Sequence, residues 1–252
     1  MDELIEQVTR AIATLPGIPT GSPLPRATPV PSDTPIAGLI DHTLLRPEAT
    51  PVQIEALCEE AVRYRFASVC VNPVYVPLCA RLLRSTPVAV CTVVGFPLGA
   101  TTTKTKVFEA TQAIGNGARE IDMVISLGWL KAGDYGFVAE DLRAVVEPAH
   151  AQQVRVKVII ETGLLDEREK VAACALAARV GADYVKTSTG FLGGGASVAD
   201  VALMRRVVGS AMGVKASGGI RTLADAQALI AAGADRIGSS SGVAIVQAAE
   251  GA

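Results

Sequence analysis

The sequence predicts a closed (β/α)8 barrel, a TIM barrel, in a single domain with a short N-terminal helix and a proline-rich extension. From residue 36 onward, short β-branched runs alternate with longer Ala- and Leu-rich amphipathic stretches, which is typical of β-α units around a parallel sheet. Eight such units fit between residues 36 and 252, close to the usual barrel length of about 250 residues. Polar residues follow all eight strands, and no G-x-G-x-x-G turn follows the first, which disfavours an open doubly wound sheet.

The first 35 residues differ from the rest in composition. A weak helical period covers residues 1 to about 14, and seven prolines follow between residues 16 and 35. This proline density favours an extended linker. We therefore divide the chain into an N-terminal helix and linker at 1–35 and a barrel at 36–252. We expect the first part to be a tether without chemistry or, alternatively, a subunit contact made by the short helix.

The individual elements follow from the same patterns. We expect strands at 36–43, 68–72, 88–95, 120–126, 155–161, 184–188, 214–217 and 236–240. Helices are expected near 50–64, 73–84, 102–116, 134–151, 166–180, 197–210 and 222–232, with a last short one from about Ser241. Thr50 before Pro51 and Thr222 before Asp225 are helix-start signals. The residues expected to close helices are Gly115, Gly181 and Gly233.

Composition and charge exclude several function classes. The 23 Lys and Arg residues face 25 Asp and Glu residues, for a net charge of -2, so a nucleic-acid or anionic-membrane partner is not expected. No apolar run approaches the ~20 residues that cross a bilayer, and the acidic start does not resemble a secretory signal. We expect a cytoplasmic protein whose partners are small molecules.

Cysteine and histidine usage argues against disulfides and metal centres. The five cysteines are an odd number and include no C-x-x-C pair, which favours reduced thiols in a large core. The sequence has two histidines, whereas a catalytic zinc usually takes about three ligands rich in His or Cys. We therefore expect no metal site.

Two lysines at the ends of neighbouring strands are the strongest chemical signal. The two-residue period of a strand puts Lys186 and Ser188 on one side, and Lys215 and Ser217 can face the same way on the next strand. Each lysine could pair with a carboxylate or bind phosphate as a simple charge, because lysine is rarely buried alone. The functional alternative is that one lysine attacks a carbonyl to form an imine, while the other holds its neighbour's pKa down. A second ammonium ~5 Å away costs ~3 kcal/mol at an effective dielectric of about 20.

Other polar residues at the strand ends have more than one reading. Asp122 lies on a mostly apolar strand and could be a counter-charge for the lysines or a proton relay through water. Asp41 could cap the loop at 43–48 or take a catalytic or substrate-hydroxyl role. We expect His42 to be a packed loop residue, Glu161 to orient its neighbours, and Lys157 to be a structural charge near the barrel floor.

The last two loops of the barrel have the composition of a phosphate site. Ser-Gly-Gly-Ile-Arg follows the seventh strand, and Gly-Ser-Ser-Ser-Gly follows the eighth and leads into a short helix. Glycine lets backbone N–H groups approach phosphate oxygens, and serine adds hydroxyl donors. We expect phosphate to bind at Gly218, Gly219, Gly238, Ser239 and Ser240.

These strings together resemble the deoxyribose-phosphate aldolase family of imine-forming, class I aldolases. The resemblance covers nearly the whole chain after the proline segment, including LIDHTLL, VCVNP, VCTVVGFPLGA, EIDMVISLG, YVKTSTGF, VKASGGIR and RIGSSSG. One departure is Phe191, which stands where some members carry a lysine. By resemblance, Lys186 is the Schiff-base lysine, Lys215 is the lysine that perturbs it, and Asp122 is the acid/base aspartate. Substrate contacts are expected at Asp41, Thr43, Asn72, Thr187, Gly190 and the five phosphate-loop residues.

The resemblance also implies a reaction. It is the reversible cleavage of 2-deoxy-D-ribose 5-phosphate to D-glyceraldehyde 3-phosphate and acetaldehyde, in deoxynucleoside catabolism, without a metal or organic cofactor. Two alternatives stay open: a transaldolase-like carbon transferase that uses the same imine, and a non-catalytic phosphosugar-binding barrel that regulates a partner. We expect a homo-oligomer, either a dimer or a tetramer.

Overall fold

Eight parallel strands close into a barrel in sequence order, each hydrogen-bonded to the next and the last to the first. The predicted (β/α)8 fold is therefore confirmed in the computed structural model, which describes residues 1–16, 20–22 and 34–251. Most of the predicted proline-rich linker falls on 17–19 and 23–33, outside the described residues. The strands are β1 (Ile40–Leu44), β2 (Ser68–Val71), β3 (Ala89–Val94), β4 (Glu120–Val124), β5 (Arg155–Ile159), β6 (Tyr184–Lys186), β7 (Gly213–Ser217) and β8 (Arg236–Ser239).

Helices separate the strands and cover the outside of the barrel. Thr222 starts its helix as predicted, because its Oγ1 accepts a hydrogen bond from the Asp225 amide at 3.1 Å. None of the helices in the described part of the chain is long and apolar enough to cross a membrane. The helices are α1 (Asp2–Ala13), α2 (Pro51–Tyr64), α3 (Val76–Leu82), α4 (Thr103–Gly115), α5 (Leu127–Lys131), α6 (Tyr135–Ala151), α7 (Glu167–Arg179), α8 (Val198–Val208), α9 (Leu223–Ala231) and α10 (Gly242–Glu250).

The N-terminal helix α1 packs on the barrel and is not a detached tether. Val8 and Ile12, four residues apart on one face, are 2% and 1% exposed and belong to the main hydrophobic core. The helix lies against α7. A second contact follows at Gly21, whose amide donates to the Arg179 carbonyl at the end of α7 at 2.9 Å.

The structure differs from the local predictions at three points. The first strand begins at Ile40, because Ile36–Leu39 form a 3-10 helix in which the Gly38 amide donates to the Pro35 carbonyl. Helix α5 was not expected; its five residues are too few to show a helical period. Gly115 is the last helical residue of α4, and the backbone turns instead at Gly117, where φ is +110°.

The barrel interior differs from the shell between strands and helices. The shell is a continuous apolar cluster, whereas the interior contains charged side chains in its lower part and a small apolar cluster above, formed by Leu45, Cys70, Cys91 and Val93 with Phe96 packed against them. The strand register puts these inward positions in layers, as in other barrels of this type.

Candidate active site

A cavity of about 780 Å³ opens at the carboxyl ends of the strands, the face where barrels of this kind hold their active sites. It lies between the ends of β1, β6, β7 and β8 and the loops that follow them. Eight of the predicted site residues line it: Thr43, Lys186, Gly190, Gly218, Gly219, Gly238, Ser239 and Ser240. The other five do not line it: Asp41, Asn72, Asp122, Thr187 and Lys215.

Lys186 and Lys215 meet on one carboxylate oxygen. They are register partners on β6 and β7, and both side chains point into the barrel, as the two-residue period predicted. The Nζ atoms donate to Oδ2 of Asp122 at 2.8 Å for Lys186 and 2.7 Å for Lys215. Their side chains are 3% and 1% exposed. The two lysines and the aspartate of the sequence prediction are thus one hydrogen-bonded group.

A third lysine, Lys157, completes the surroundings of Asp122. It is the register partner of Asp122 on β5, and its Nζ lies 2.8 Å from Asp122 Oδ1 and 2.5 Å from Glu120 Oε2. The sequence reading of Lys157 as a charge near the floor is therefore incomplete, because its ammonium also reaches the aspartate that holds Lys186. Glu120 and Asp122 are two residues apart on β4, so both side chains point to the same side of the strand. This spacing could have predicted an acidic face inside the barrel.

Asp41 lies under the cavity instead of at its wall. Its Oδ2 is 2.6 Å from Lys215 Nζ, and its Oδ1 accepts from Arg236 and from the Ser68 hydroxyl, both at 2.6 Å. The side chain is fully buried. These contacts correct the expectation of a loop cap or a direct substrate contact, because both carboxylate oxygens face the barrel interior.

Burial and charge oppose one another in this network, and charge prevails. Burial alone would raise the pKa of Asp122, but Lys157, Lys186 and Lys215 hold it well below its usual range. The pKa of Asp41 is likewise lowered, by Arg236, Lys215 and Lys157 against the effect of burial. Burial alone would lower the pKa of Lys215, but Asp122 and Asp41 raise it above its ordinary value. Lys215 therefore stays protonated at neutral pH, and both aspartates stay ionised.

The network contains one more basic group than carboxylates. Since buried charges are stabilised only when they are paired, a fully protonated set leaves one positive charge in excess. Lys186 is the basic member of this network that lines the cavity. Among the described residues the basic groups are Lys157, Lys186, Lys215 and Arg236, and the carboxylates are Asp41, Glu120 and Asp122.

Three polar side chains near the cavity hold the strand ends and loops in place: Thr187, Asn72 and Glu161. The Thr187 hydroxyl donates to the Ser217 carbonyl and accepts from the Ser217 amide, both at 3.0 Å, which ties β6 to β7. The Asn72 amide donates to the Leu45 carbonyl at 3.1 Å. Glu161 Oε2 accepts from the Thr189 amide at 2.9 Å, which fits the expected orienting role. Thr187 and Asn72 thus support the cavity wall instead of forming it.

The glycine-rich loops meet at the far side of the cavity. Gly190, Gly218 and Gly219 have φ values of +83°, +92° and +77°, a region that glycine adopts without strain. A Cβ on Gly218 would lie 3.1 Å from the Gly195 Cα, so the loops approach too closely for a side chain. The Ser239 hydroxyl donates to the Ile220 carbonyl at 2.7 Å, so it shapes the loop instead of serving as an expected hydroxyl donor for phosphate.

Aromatic and imidazole groups close the remaining wall. Phe191 and Phe96 meet edge to face with ring centroids 5.2 Å apart, and Phe191 lines the cavity. His42 is 3% exposed, packs on Phe66, and contacts Glu60 through Nε2 at 2.7 Å. His42 is therefore a packed residue, as the sequence indicated, although it also lines the cavity.

One group of side chains in the described residues has the donor types of a metal site. The Cys70 and Cys91 sulfurs and an Asp122 oxygen all lie within 4.8 Å of one another. Lys157, Lys186 and Lys215 already occupy the Asp122 carboxylate. A cation bound there would add positive charge to a network that already has it in excess, so the arrangement fits ammonium groups better than a metal ion.

Comparisons with known proteins agree with this geometry. The family model of the DeoC/LacD family aldolases matches residues 36–248. The deoxyribose-phosphate aldolase of Halalkalibacterium halodurans is 62% identical over 212 residues, which is 84% of this chain and 94% of that protein. The enzyme of the same name from a Geobacillus species is 61% identical over 212 residues, covering 84% of this chain and 95% of that protein.

A solved structure extends the comparison to three dimensions. The tetrameric deoxyribose phosphate aldolase of Aeropyrum pernix superposes with a TM-score of 0.80 at 36% identity, covering 85% of this chain and 91% of that one. A family match over more than half of the chain and relatives this similar over most of it leave one assignment. The chain belongs to the DeoC/LacD family of aldolases, which are lyases.

Proposed function

We propose that this aldolase cleaves 2-deoxy-D-ribose 5-phosphate reversibly to D-glyceraldehyde 3-phosphate and acetaldehyde, through an imine on Lys186. The observation that carries the proposal is the placement of Lys186 at the cavity, on an oxygen of Asp122 that it shares with Lys215. The names of the two relatives support the substrate. We further propose a role in deoxynucleoside catabolism, no requirement for a metal or organic cofactor, and a homo-oligomeric state.

Imine formation begins with the neutral amine of Lys186. Its lone pair attacks C1 of the open-chain aldehyde, and loss of water gives an iminium. The Asp122 carboxylate then balances the positive charge of the iminium. Because Asp122 is held ionised, it can accept a hydrogen bond or a proton at every later step.

The bond that breaks is C2–C3, since acetaldehyde takes C1 and C2. A base removes the proton of the C3 hydroxyl, the C3 carbonyl forms, and the bonding electron pair moves into the iminium to give an enamine. Protonation of the enamine at C2 and hydrolysis then release acetaldehyde and regenerate the Lys186 amine. We assign the proton transfers to Asp122 acting through a water molecule, with the protonated Lys215 as the donor nearest to it.

The phosphate end of the substrate belongs at the glycine-rich loops. Gly190, Gly218, Gly219 and Gly238 line the cavity on the side where α10 begins, and backbone N–H groups near a helix start attract phosphate. Ser240 is exposed there and supplies a hydroxyl.

Product analysis tests the proposal. The wild-type protein should release glyceraldehyde 3-phosphate and acetaldehyde from deoxyribose 5-phosphate, and Lys186→Ala should lose all measurable turnover. In the reverse direction acetaldehyde should act as the donor and dihydroxyacetone should not. Use of dihydroxyacetone would favour the transaldolase-like alternative, and an active Lys186→Ala variant would refute the mechanism.

A further inference from the structure

Two buried cysteines face each other beside the proposed catalytic lysines. Cys70 on β2 and Cys91 on β3 are register partners, and both side chains point into the barrel. Their sulfur atoms and an Asp122 oxygen all lie within 4.8 Å of one another. Neighbouring strands lie about 4.7–4.9 Å apart, which is within the range of Cα separations that a disulfide bridges.

The pair lies directly under the cavity wall. Cys70 and Cys91 cluster with Leu45, Val93 and Phe96, and Leu45 lines the cavity. Both cysteines are fully buried, so bulky thiol reagents are excluded, and the proposal concerns an oxidant as small as hydrogen peroxide.

The surroundings divide the two thiols into a nucleophile and a resolving group. The contact with Cys91 lowers the pKa of Cys70 in spite of its burial and of the nearby Asp122 carboxylate, and Lys215 and Lys186 lower it further. Burial, the contact with Cys70 and the Asp122 carboxylate raise the pKa of Cys91. Cys91 Sγ is also 3.2 Å from Lys157 Nζ, an ammonium that can protonate a departing hydroxide.

We propose that hydrogen peroxide converts Cys70 and Cys91 into a reversible disulfide, which makes this pair an oxidation site beside the cavity. The Cys70 thiolate attacks one peroxide oxygen, the O–O bond breaks, and the products are a sulfenic acid and water. The Cys91 thiol then attacks the Cys70 sulfur, and the S–O bond breaks with loss of a second water. Two thiols are oxidised, and one peroxide is reduced to two waters.

The disulfide should reduce turnover, a consequence that rests on the proposed function. Cys91 Sγ now donates to Asp122 Oδ1 at 3.1 Å. Bonding to Cys70 removes that donor and draws the sulfur away from Asp122 and Lys157, so the carboxylate that holds Lys186 and Lys215 loses one of its fixed contacts. Reduction by a dithiol restores the original arrangement.

A second thiol pair must be removed before the test. Cys58 on α2 and Cys79 on α3 are also buried, and their contact raises the pKa of Cys79. Cys79 shares a tryptic peptide, 66–81, with Cys70. The parent is therefore Cys58→Ala/Cys79→Ala, which leaves the barrel interior unchanged. Its matched control carries Cys91→Ala in addition, and the isolated buried Cys174 remains in both as a gauge of general oxidation.

The experiment treats both folded proteins with hydrogen peroxide, blocks free thiols under acidic denaturing conditions, and maps tryptic peptides by mass spectrometry. In the parent, peptides 66–81 and 85–104 should appear as one disulfide-linked species, with a mass two hydrogens below the sum of the two free peptides. This species should form before Cys174 is oxidised. Turnover should fall at least fivefold and return with dithiothreitol. The control should give no joined peptide and no loss that dithiothreitol reverses.

Other outcomes overturn the inference. Conversion of Cys70 to a sulfinic acid without joined peptides, or oxidation of Cys174 first, would refute the disulfide. Joined peptides with unchanged turnover would refute its effect on catalysis. A parent that forms the joined peptides but never cleaves deoxyribose 5-phosphate, even when reduced, would refute the proposed function and leave the oxidation site standing.

Discussion

At the scale of single residues, the proposed reactivity of Lys186 depends on the charges around it. Sequence reasoning treated two lysines as a repelling pair, but the structure adds Lys157, Arg236 and three carboxylates. The quantity that matters is then the difference between the number of basic groups and the number of carboxylates in the whole network. One basic group is in excess over the carboxylates, and Lys186 is the basic group that borders the cavity.

Removal of Lys215 tests this charge argument. In Lys215→Leu three basic groups face three carboxylates, so the network no longer carries an excess positive charge. We expect the pH optimum of kcat to move upward by about one unit and kcat to fall ~100-fold, since a proton donor is also lost. The matched control is Lys131→Leu, which removes a surface lysine paired with Glu169. A lower optimum in Lys215→Leu, or an equal shift in the control, would contradict the argument.

Removal of Asp41 tests the network from the opposite side. Asp41→Asn leaves Arg236 and Lys215 without one buried counter-charge, which should lower the free energy of unfolding by about 3 kcal/mol or more. Urea unfolding at neutral pH measures this loss. Glu48→Gln, which breaks an exposed pair with Arg46, should change stability by less than about 1 kcal/mol.

The pH dependence of the same difference has a definite sign. The folded-state pKa of Asp41 is lowered, so its contribution is fully present above the unfolded pKa of about 3.9 and is lost as pH falls toward the folded value. Urea titrations at several pH values should therefore show the stability gap between wild type and Asp41→Asn shrinking below about pH 4. A gap that widens in acid would be the opposite of this expectation.

At the scale of elements, short-range patterns predicted the strands and missed the pairings between them. The β-branched runs and the two-residue period placed Lys186 and Lys215 inside the barrel. The contacts that define their chemistry join residues far apart in sequence, such as Asp41 with Arg236 and Asp122 with Lys215. Local periodicity carries no information on such pairs, so the contact of Lys157 with Asp122 and the ion pairs of Asp41 were not predicted. Helix α5 and the 3-10 turn before β1 were missed because they are too short for a period.

The loop after β7 supports a prediction for the phosphate site. Gly218→Ala places a Cβ 3.1 Å from Gly195 at a φ of +92°, so the loop must shift away from the phosphate. KM for deoxyribose 5-phosphate should rise about tenfold, equivalent to ~1.4 kcal/mol, while KM for unphosphorylated deoxyribose changes little. Gly133→Ala has a similar backbone strain but no neighbour within 4 Å and serves as the control. Equal effects on both substrates would argue against phosphate binding there.

At the scale of the whole molecule, the barrel and the N-terminal helix form one packed unit. The apolar face of α1 completes a core that also includes α7, although composition alone had set the first 35 residues apart. The sequence predicted the closed barrel because each of its eight strand and helix units repeats the same local signal. The sequence did not predict the docking of α1. A weak helical period indicates a helix, but it carries no information on which surface of the protein the helix packs against.

Truncation of Ile12 measures how firmly α1 belongs to the fold. Ile12 is 1% exposed, and Ile12→Ala should lower the free energy of unfolding by about 2 to 5 kcal/mol while kcat changes little, because the helix is remote from the cavity. Ile5→Ala, at a half-buried position of the same helix, should cost less. An Ile12→Ala variant as stable as wild type would indicate a helix that is not docked in solution.

The central claim is that Lys186 captures an aldehyde at the floor of the cavity, and reductive trapping tests it most directly. The protein is incubated with deoxyribose 5-phosphate and sodium borohydride, and tryptic peptides are mapped by mass spectrometry. A reduced adduct on Lys186, absent from Lys215 and Lys157 and from a Lys186→Arg variant, is the predicted result. An adduct on Lys215 instead, or no adduct on a protein that still cleaves the sugar phosphate, would contradict the account.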